Sequence, residues 1–384
     1  MKIRKTAQVS MLILLLSILT LDPHTNVVKS YDNDNMGNNF IPIFLADDDY
    51  NNISQDLNLR EYVSNQIIDG LNYIPIMRNE IVPGDPATFN TVGVGSMVLD
   101  MNGNIVNYYN YTRNTIAVPY NSTTMIINKG SLVDNLALFN IYTGVEEVLP
   151  ISGDILDIIY NPVSDTLLVL ETFISDEMWD GLQVSYQNII EYNFTGHIKW
   201  IWNATDYLPF DSSVHTSLGF NDTYNGYADW MHANSIVWDT DNNEILLLVR
   251  NHDTIYTINK TDSSIIWSAG RLGDFTVFNS NDQEVDTIWW HPYNLEAIGG
   301  SKYVLFDNDG RNITNPDSLA LLDGYSRYLE FKINATKGEV YEKWSFLAPN
   351  SVYYSPTDGG DCNRLPDGNT IGVFGNRGEN LKNI

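Results

Sequence analysis

From Val92 onward the chain reads strand, turn, strand throughout, short apolar-rich stretches separated by turn-forming clusters. The stretch "YADWMHANSIVWDTDNNEILLLVR", residues 227–250, shows the pattern: a strand, an acidic turn and a second strand. Related stretches run to aromatic ends at Trp200 and Trp202, at Trp267 and at Trp344, where the tryptophans read as packing between strands. Shortened versions, "MVLDMNGNIVNYY" and "NLALFNIYTGVEEVL", come earlier. Strand–turn–strand units recurring every ~40–75 residues predict an all-β protein, a six-bladed β-propeller in which five or six blades can be counted. A two-sheet sandwich, the competing all-β answer, lacks repeated units of this kind. The last unit, "CNRLPDGNTIGVFG", stops before its aromatic-ended half. A strand near residues 93–107 would complete it and close the ring; otherwise the chain is truncated.

The pattern also divides the chain. Residues 91–384 form the propeller domain, residues 31–90 read as a polar linker, and "LREYVSNQIIDGLN" within it predicts one short amphipathic helix before "IVPGDP" breaks the chain. Residues 1–30 open with Lys2, Arg4 and Lys5 ahead of an apolar run from Val9 to Leu21. That run is shorter than the ~20 residues of a membrane span, so it predicts a signal peptide or an uncleaved N-terminal anchor. Nine N-x-S/T sequons support an exported, glycosylated protein at the cell surface or beyond it. Cys362 is the only cysteine, so stability rests on core burial and not on an internal disulfide. The 384 residues are 43% hydrophobic, enough for a sizeable core. A formal charge of −27 excludes nucleic acid and anionic membrane as natural partners, although it leaves the field inside a pocket open.

Certain polar residues are not what a plain sheet needs. His232 and Asn234 open one strand of the quoted stretch and Arg250 ends the next. Residues two apart on a strand share a side, which pairs His232 with Asn234 and Arg250 with His252. His291 follows Trp289 and Trp290. Asp307, Asn308 and Gly310 read as a tight turn, as do Asp239, Asp241 and Asn243. No dinucleotide fingerprint, zinc-protease, Cys-x-x-Cys or serine-hydrolase motif is present, and no metal or cofactor is predicted.

Three stretches carry a resemblance. "DWMHANSIVWD" followed by Arg250, "WWHPYNLEAIGGSKYVLFDNDGRN", and "GDCNRLPDGNTI" are similar to those of the arylsulfate sulfotransferases, secreted six-bladed propellers that move a sulfuryl group between phenols. The similarity spans residues 91–375. It implies that His291 is the nucleophile, transiently sulfated in a ping-pong reaction between an aryl sulfate donor and a phenolic acceptor. It also places His232, Asn234 and Arg250 in the same central pocket, Asn234 and Arg250 binding substrate. One position departs from the family: Leu156 stands in "DILDIIYNP" where the family has a histidine, with Asp157 retained. His252 is a candidate to replace that imidazole.

The chemistry suits these residue types. An imidazole has a pKa near 6.5 and is a good nucleophile when neutral, and an N-sulfonated intermediate divides one hard step into two. A guanidinium forks onto two sulfate oxygens, and an amide and a second imidazole complete a cradle that needs no metal. Two other functions are compatible with the same residues. A surface propeller that binds ligands without catalysis would explain Leu156, and a hydrolase would discharge the intermediate to water. Nothing in the sequence sets the oligomeric state.

Overall fold

The computed structural model describes residues 10–11, 71–82, 85–100, 105–109, 116–129, 134–218, 223–224, 226–308, 326–347, 360–365 and 368–374. Most of them are strand. The two helices among them, Ala204–Tyr207 and Ser212–Leu218, are short, and no helix of the described residues is long and apolar enough to cross a membrane. The predicted signal peptide or anchor, apart from a two-residue strand at Ser10–Met11, and the predicted amphipathic helix as far as Gly70 lie outside the described residues.

The chain divides into two compact units, the smaller holding residues 1–131, 136–148 and 360–384, the larger residues 132–135 and 149–359. In the smaller unit the strands Leu71–Val82, Asp85–Asp100 and Ile105–Tyr109 pair in succession, so regular structure starts inside the stretch expected to be linker. The hairpin Gly360–Arg364 with Thr370–Phe374 forms a two-stranded sheet of its own. A small apolar core gathers Val98, Met125, Ile127, Ala137, Phe139 and Ile141.

The larger unit carries three consecutive antiparallel meanders. The first runs through Ile155–Asn161, Thr166–Trp179, Leu182–Asn193 and Ile198–Trp202. The second runs through Ala233–Asp239, Glu244–Val249, Thr254–Asn259 and Ile265–Gly270. The third comprises Pro292–Gly299, Lys302–Asp307, Arg327–Asn334 and Glu339–Leu347. Trp200 and Trp202, Trp267 and Trp344 all fall on the fourth strand of a meander, as the sequence pattern implies.

Period-two alternation explains how the sheets stack. In Glu244–Val249 the residues Ile245, Leu247 and Val249 join an apolar core shared with Leu168, Leu170 and Trp202 of the first sheet. Their neighbours Leu246 and Leu248 join a second core with Leu305, Leu329 and Phe331 of the third. The middle sheet is thus apolar on both faces, each fully buried aliphatic contributing about 1.5–3 kcal/mol. The innermost strands of the three sheets lie side by side, as propeller blades do. Asp157 Oδ2 accepts from Ile236 N (2.8 Å), and Ser235 Oγ accepts from Leu295 N (2.9 Å).

Each innermost strand also carries a β-bulge near its start. The register skips Leu156 in the first sheet, Asn234 in the second, and Asn294 with Leu295 in the third. A bulge re-aims the side chain that it leaves unpaired. Leu156 and Asn234 therefore occupy equivalent positions in consecutive sheets.

Candidate functional site

The second and third sheets are each approached through the same local structure. Trp230-Met231-His232 leads into Ala233, and Trp289-Trp290-His291 leads into Pro292. Both histidines have left-handed backbones, with φ of +47° for His232 and +52° for His291. This conformation costs a residue with a Cβ roughly 1–2 kcal/mol, so the surroundings must impose it.

Around His291 the imposition is visible atom by atom. Its N–H donates to Asp253 Oδ1 (2.6 Å) and its carbonyl accepts from Asn308 Nδ2 (2.6 Å). The preceding N–H, of Trp290, donates to Asp307 Oδ1 (2.8 Å), and the following carbonyl, of Pro292, accepts from Asn234 Nδ2 (2.9 Å). Four side chains from two sheets thus fix three successive residues. The supports are themselves anchored: Arg327 Nε donates to Asp307 Oδ2 (3.0 Å), and the Trp289 indole donates to Asp253 O (2.8 Å).

Electrostatics then set the state of the ring. His291 is buried, and burial pushes its pKa well below the usual imidazole value, with the charges of Arg250, His232 and Arg271 acting in the same direction. The imidazole is neutral at physiological pH. Burial likewise pushes Asp253 up to about 7, opposed by the bond from His291 N and by the charge of Arg271.

His232 is held differently. Its Nδ1 pairs with the buried carboxylate of Asp229, three residues earlier. Burial works to raise the Asp229 pKa, but the charge and hydrogen bond of His232 and the charge of Arg250 outweigh it and hold the carboxyl below its usual value. The long hairpin of the first sheet supports this segment: Ser185 pairs in parallel register with Asp229, and Gln187 Oε1 accepts from Ala233 N (2.9 Å). Asn251 Nδ2 donates to Asp229 O (2.8 Å), and Arg250 Nη1 is braced by Asn251 Oδ1 (2.7 Å). The Arg250 guanidinium is buried, and its charge reaches Asp229, Asp253 and His291.

A family model described as arylsulfotransferase matches residues 96–383. The chain belongs to the arylsulfotransferase family. Membership supports a sulfotransferase acting on small aryl sulfates and phenols in general. No curated protein matches the chain. Among solved structures it is similar to the β-propeller domain of Cps50 (Swd1) from Myceliophteria thermophila, at 8% identity and a TM-score of 0.36, covering 69% of this chain and 71% of that one. It is also similar to a putative 6-phosphogluconolactonase from Bacteroides fragilis, at 10% identity and a TM-score of 0.40, covering 72% and 68%. A third is the WD40 β-propeller domain of Doa1, at 9% identity and a TM-score of 0.31, covering 67% and 79%.

In this member of the family Arg250 and His232 lie near enough to act on His291 through their charge, and Asn234 reaches Pro292 O, though not by the strand alternation that suggested it. His232 stands ahead of its strand and Asn234 sits in the bulge, while Arg250 and His252 lie in the turn beyond Val249. Asn234 spends one amide hydrogen on Pro292 O, and its buried Oδ1 has no partner among the described residues. His252 points elsewhere. Its Nδ1 meets Tyr256 Oη (3.1 Å), its ring stands edge-on to Trp230, and burial, with His215 nearby, pushes its pKa down to about 3. Leu156 packs against the apolar core between the first two sheets. Asp307 and Asn308, read from sequence as turn formers, hold the backbone of Trp290 and of His291. Asp229, Asp253 and Arg271 were not singled out by sequence reasoning. The available signal was an acidic residue three positions before His232 and three after Arg250. No group of three or more potential metal ligands occurs among the described residues.

Proposed function

We propose that the protein transfers a sulfuryl group from an aryl sulfate to a phenol through a sulfated His291. The observation that carries this reading is a buried, neutral imidazole whose backbone is fixed on both sides and whose surroundings are cationic. In the first half-reaction the lone pair of one ring nitrogen attacks sulfur. The N–S bond forms as the S–O(aryl) bond breaks, and the electron pair departs with the aryloxide. Arg250 offsets the charge on the sulfuryl oxygens, and His232, oriented by Asp229, gives the aryloxide a proton. In the second half-reaction His232 takes the proton of the incoming phenol, whose oxygen attacks sulfur as the N–S bond breaks. Every atom of the sulfuryl group is returned and the enzyme regains its starting state.

Intact-mass measurement after mixing with an aryl sulfate tests this. The expected result is one added sulfuryl group that maps to His291 and disappears on adding phenol. Turnover without modification would overturn the covalent route. The position of Leu156 favours a second reading, in which the propeller binds sulfate esters without turning them over. In that case ligand binds and the mass stays unchanged. Release of free sulfate instead of sulfated phenol would mark a hydrolase.

We infer that the protein acts outside the cell. The basic and apolar leader supports this, as does the fact that the described sequons Asn121, Asn193, Asn203, Asn259 and Asn334 are all at least partly exposed.

A further inference from the structure

Arg271 has no role in the mechanism above, yet its position is tightly set. Its N–H donates to Asp253 O (3.0 Å), and a Cβ on the preceding Gly270 would stand 2.2 Å from that same oxygen. With φ at +120°, Gly270 lets the backbone come this close, and no larger residue fits. The Arg271 side chain emerges next to Asp253. Its guanidinium lies 4.9 Å from the centroid of the Trp290 ring, and its Nη1 is 3.6 Å from Asp253 Oδ2.

The spacing matters. A charge-assisted pair closes to about 2.7–2.9 Å, so 3.6 Å leaves Arg271 and Asp253 attracted but not hydrogen-bonded. The other oxygen of the same carboxylate accepts His291 N at 2.6 Å. One carboxylate therefore sets the distance from this guanidinium to the candidate nucleophile. The Trp290 ring lies at cation–π distance from the guanidinium, which presents five N–H donors and no acceptor. The Arg271 side chain is 26% exposed, whereas Arg250 is buried.

We propose that Arg271 is a second cationic binding residue for the aryl sulfate donor, held beside His291 by Trp290 and Asp253. The inference rests on the sulfuryl-transfer reading of this site and adds to it a grip from two guanidiniums, Arg250 from the buried side and Arg271 from the side reached by solvent. It also supplies positive charge to a site whose first-sheet position is filled by Leu156. The competing role is structural: Arg271 could serve only to neutralise buried Asp253.

Phenyl sulfate binding, measured by calorimetry on the full chain, separates the two, with turnover and thermal unfolding followed in parallel. Arg271→Gln is expected to weaken phenyl sulfate binding about tenfold or more and to raise the donor KM more than it lowers kcat. Arg271→Lys keeps the charge without the fork and should fall between. Arg271→Gln combined with Asp253→Asn removes both charges while an amide oxygen still accepts His291 N. This double variant should recover thermal stability without recovering affinity. Wild-type affinity in either Gln variant, beside normal turnover by the wild type, overturns the proposal alone. A wild type that neither binds nor turns over phenyl sulfate overturns the sulfuryl-transfer reading and this proposal together.

Discussion

His232 and His291 occupy the same place in consecutive sheets, two residues after a tryptophan and one before the innermost strand, with the same left-handed backbone. Their neighbours hold different atoms. At His232 a buried carboxylate takes Nδ1, which fixes the ring and its tautomer. At His291 two side chains take the main-chain N–H and C=O, while burial and nearby cations keep the ring neutral. A ring oriented by a carboxylate is suited to moving a proton, and a neutral ring on a fixed backbone is suited to attack. The repeat supplies two equivalent sockets. The chemistry comes from what lies beside each: Asp229 three residues away in sequence, Asp253 one sheet away.

Removing each ring should break the symmetry unequally. His291→Ala is expected to abolish covalent sulfation and lower turnover by about 10³-fold or more, since it removes the attacking nitrogen. His232→Ala should leave sulfation detectable and slow the reaction less. Rapid-mix mass spectrometry alongside steady-state kinetics reads both. Equal losses, or a sulfated protein in the His291→Ala variant, would show that the two sockets are not specialised as described.

Asp229→Asn sharpens the same contrast, because it spares both rings and removes only what orients one of them. A loss of about 10–100-fold in kcat is expected, with the donor KM little changed. The loss should grow as the leaving phenol becomes more basic, because a basic aryloxide needs the proton from His232 while a weakly basic one departs without it. A loss that is uniform across leaving groups would assign Asp229 to folding instead of proton handling.

These two sockets were only partly legible in the sequence. The strands were readable because burial on both faces leaves dense apolar runs such as that of Glu244–Val249, and because turns carry Asp, Asn and Gly at their bends. His291 and Arg250 stood out through local motifs. The reason they converge did not, since it depends on a bulge at Asn234 and a turn at residues 250–253 that shift the alternation by one. His252 shows the cost of assuming an unbroken strand: two residues from Arg250, it lies instead among Trp230 and Tyr256. Asp253 was hidden for a different reason. One partner, His291 N, is brought to it by sheet stacking, which no spacing within one sheet encodes, and the other, Arg271, lies across the same sheet just beyond the Thr254–Gly270 pair.

The smallest expected effect on turnover concerns the junctions between sheets, where the comparison extends one sheet back. Asp157 in the first sheet is equivalent to Ser235 in the second, and each reaches across to a backbone N–H of the next innermost strand. A hydroxyl stays uncharged at any pH, but a carboxyl gains a buried charge as it loses its proton. Burial pushes Asp157 from 3.8 up to about 7, against the bonds from Ile236 N and Ile158 N. A carboxyl with a raised folded-state pKa binds its proton more tightly in the folded state. Its contribution to stability is complete below about pH 4 and is lost as pH rises through 7, by up to about 4 kcal/mol. Asp157→Asn removes that dependence at a constant cost, because the amide has one acceptor where the carboxyl has two. The variant should therefore gain on the wild type, in unfolding temperature, as pH rises from 4 to 8. Taking the difference between the two proteins cancels the opposite slope from depressed carboxyls such as Asp229, which both share. A difference that stays flat with pH would mean that Asp157 is charged throughout, and that the two junctions are clasped alike.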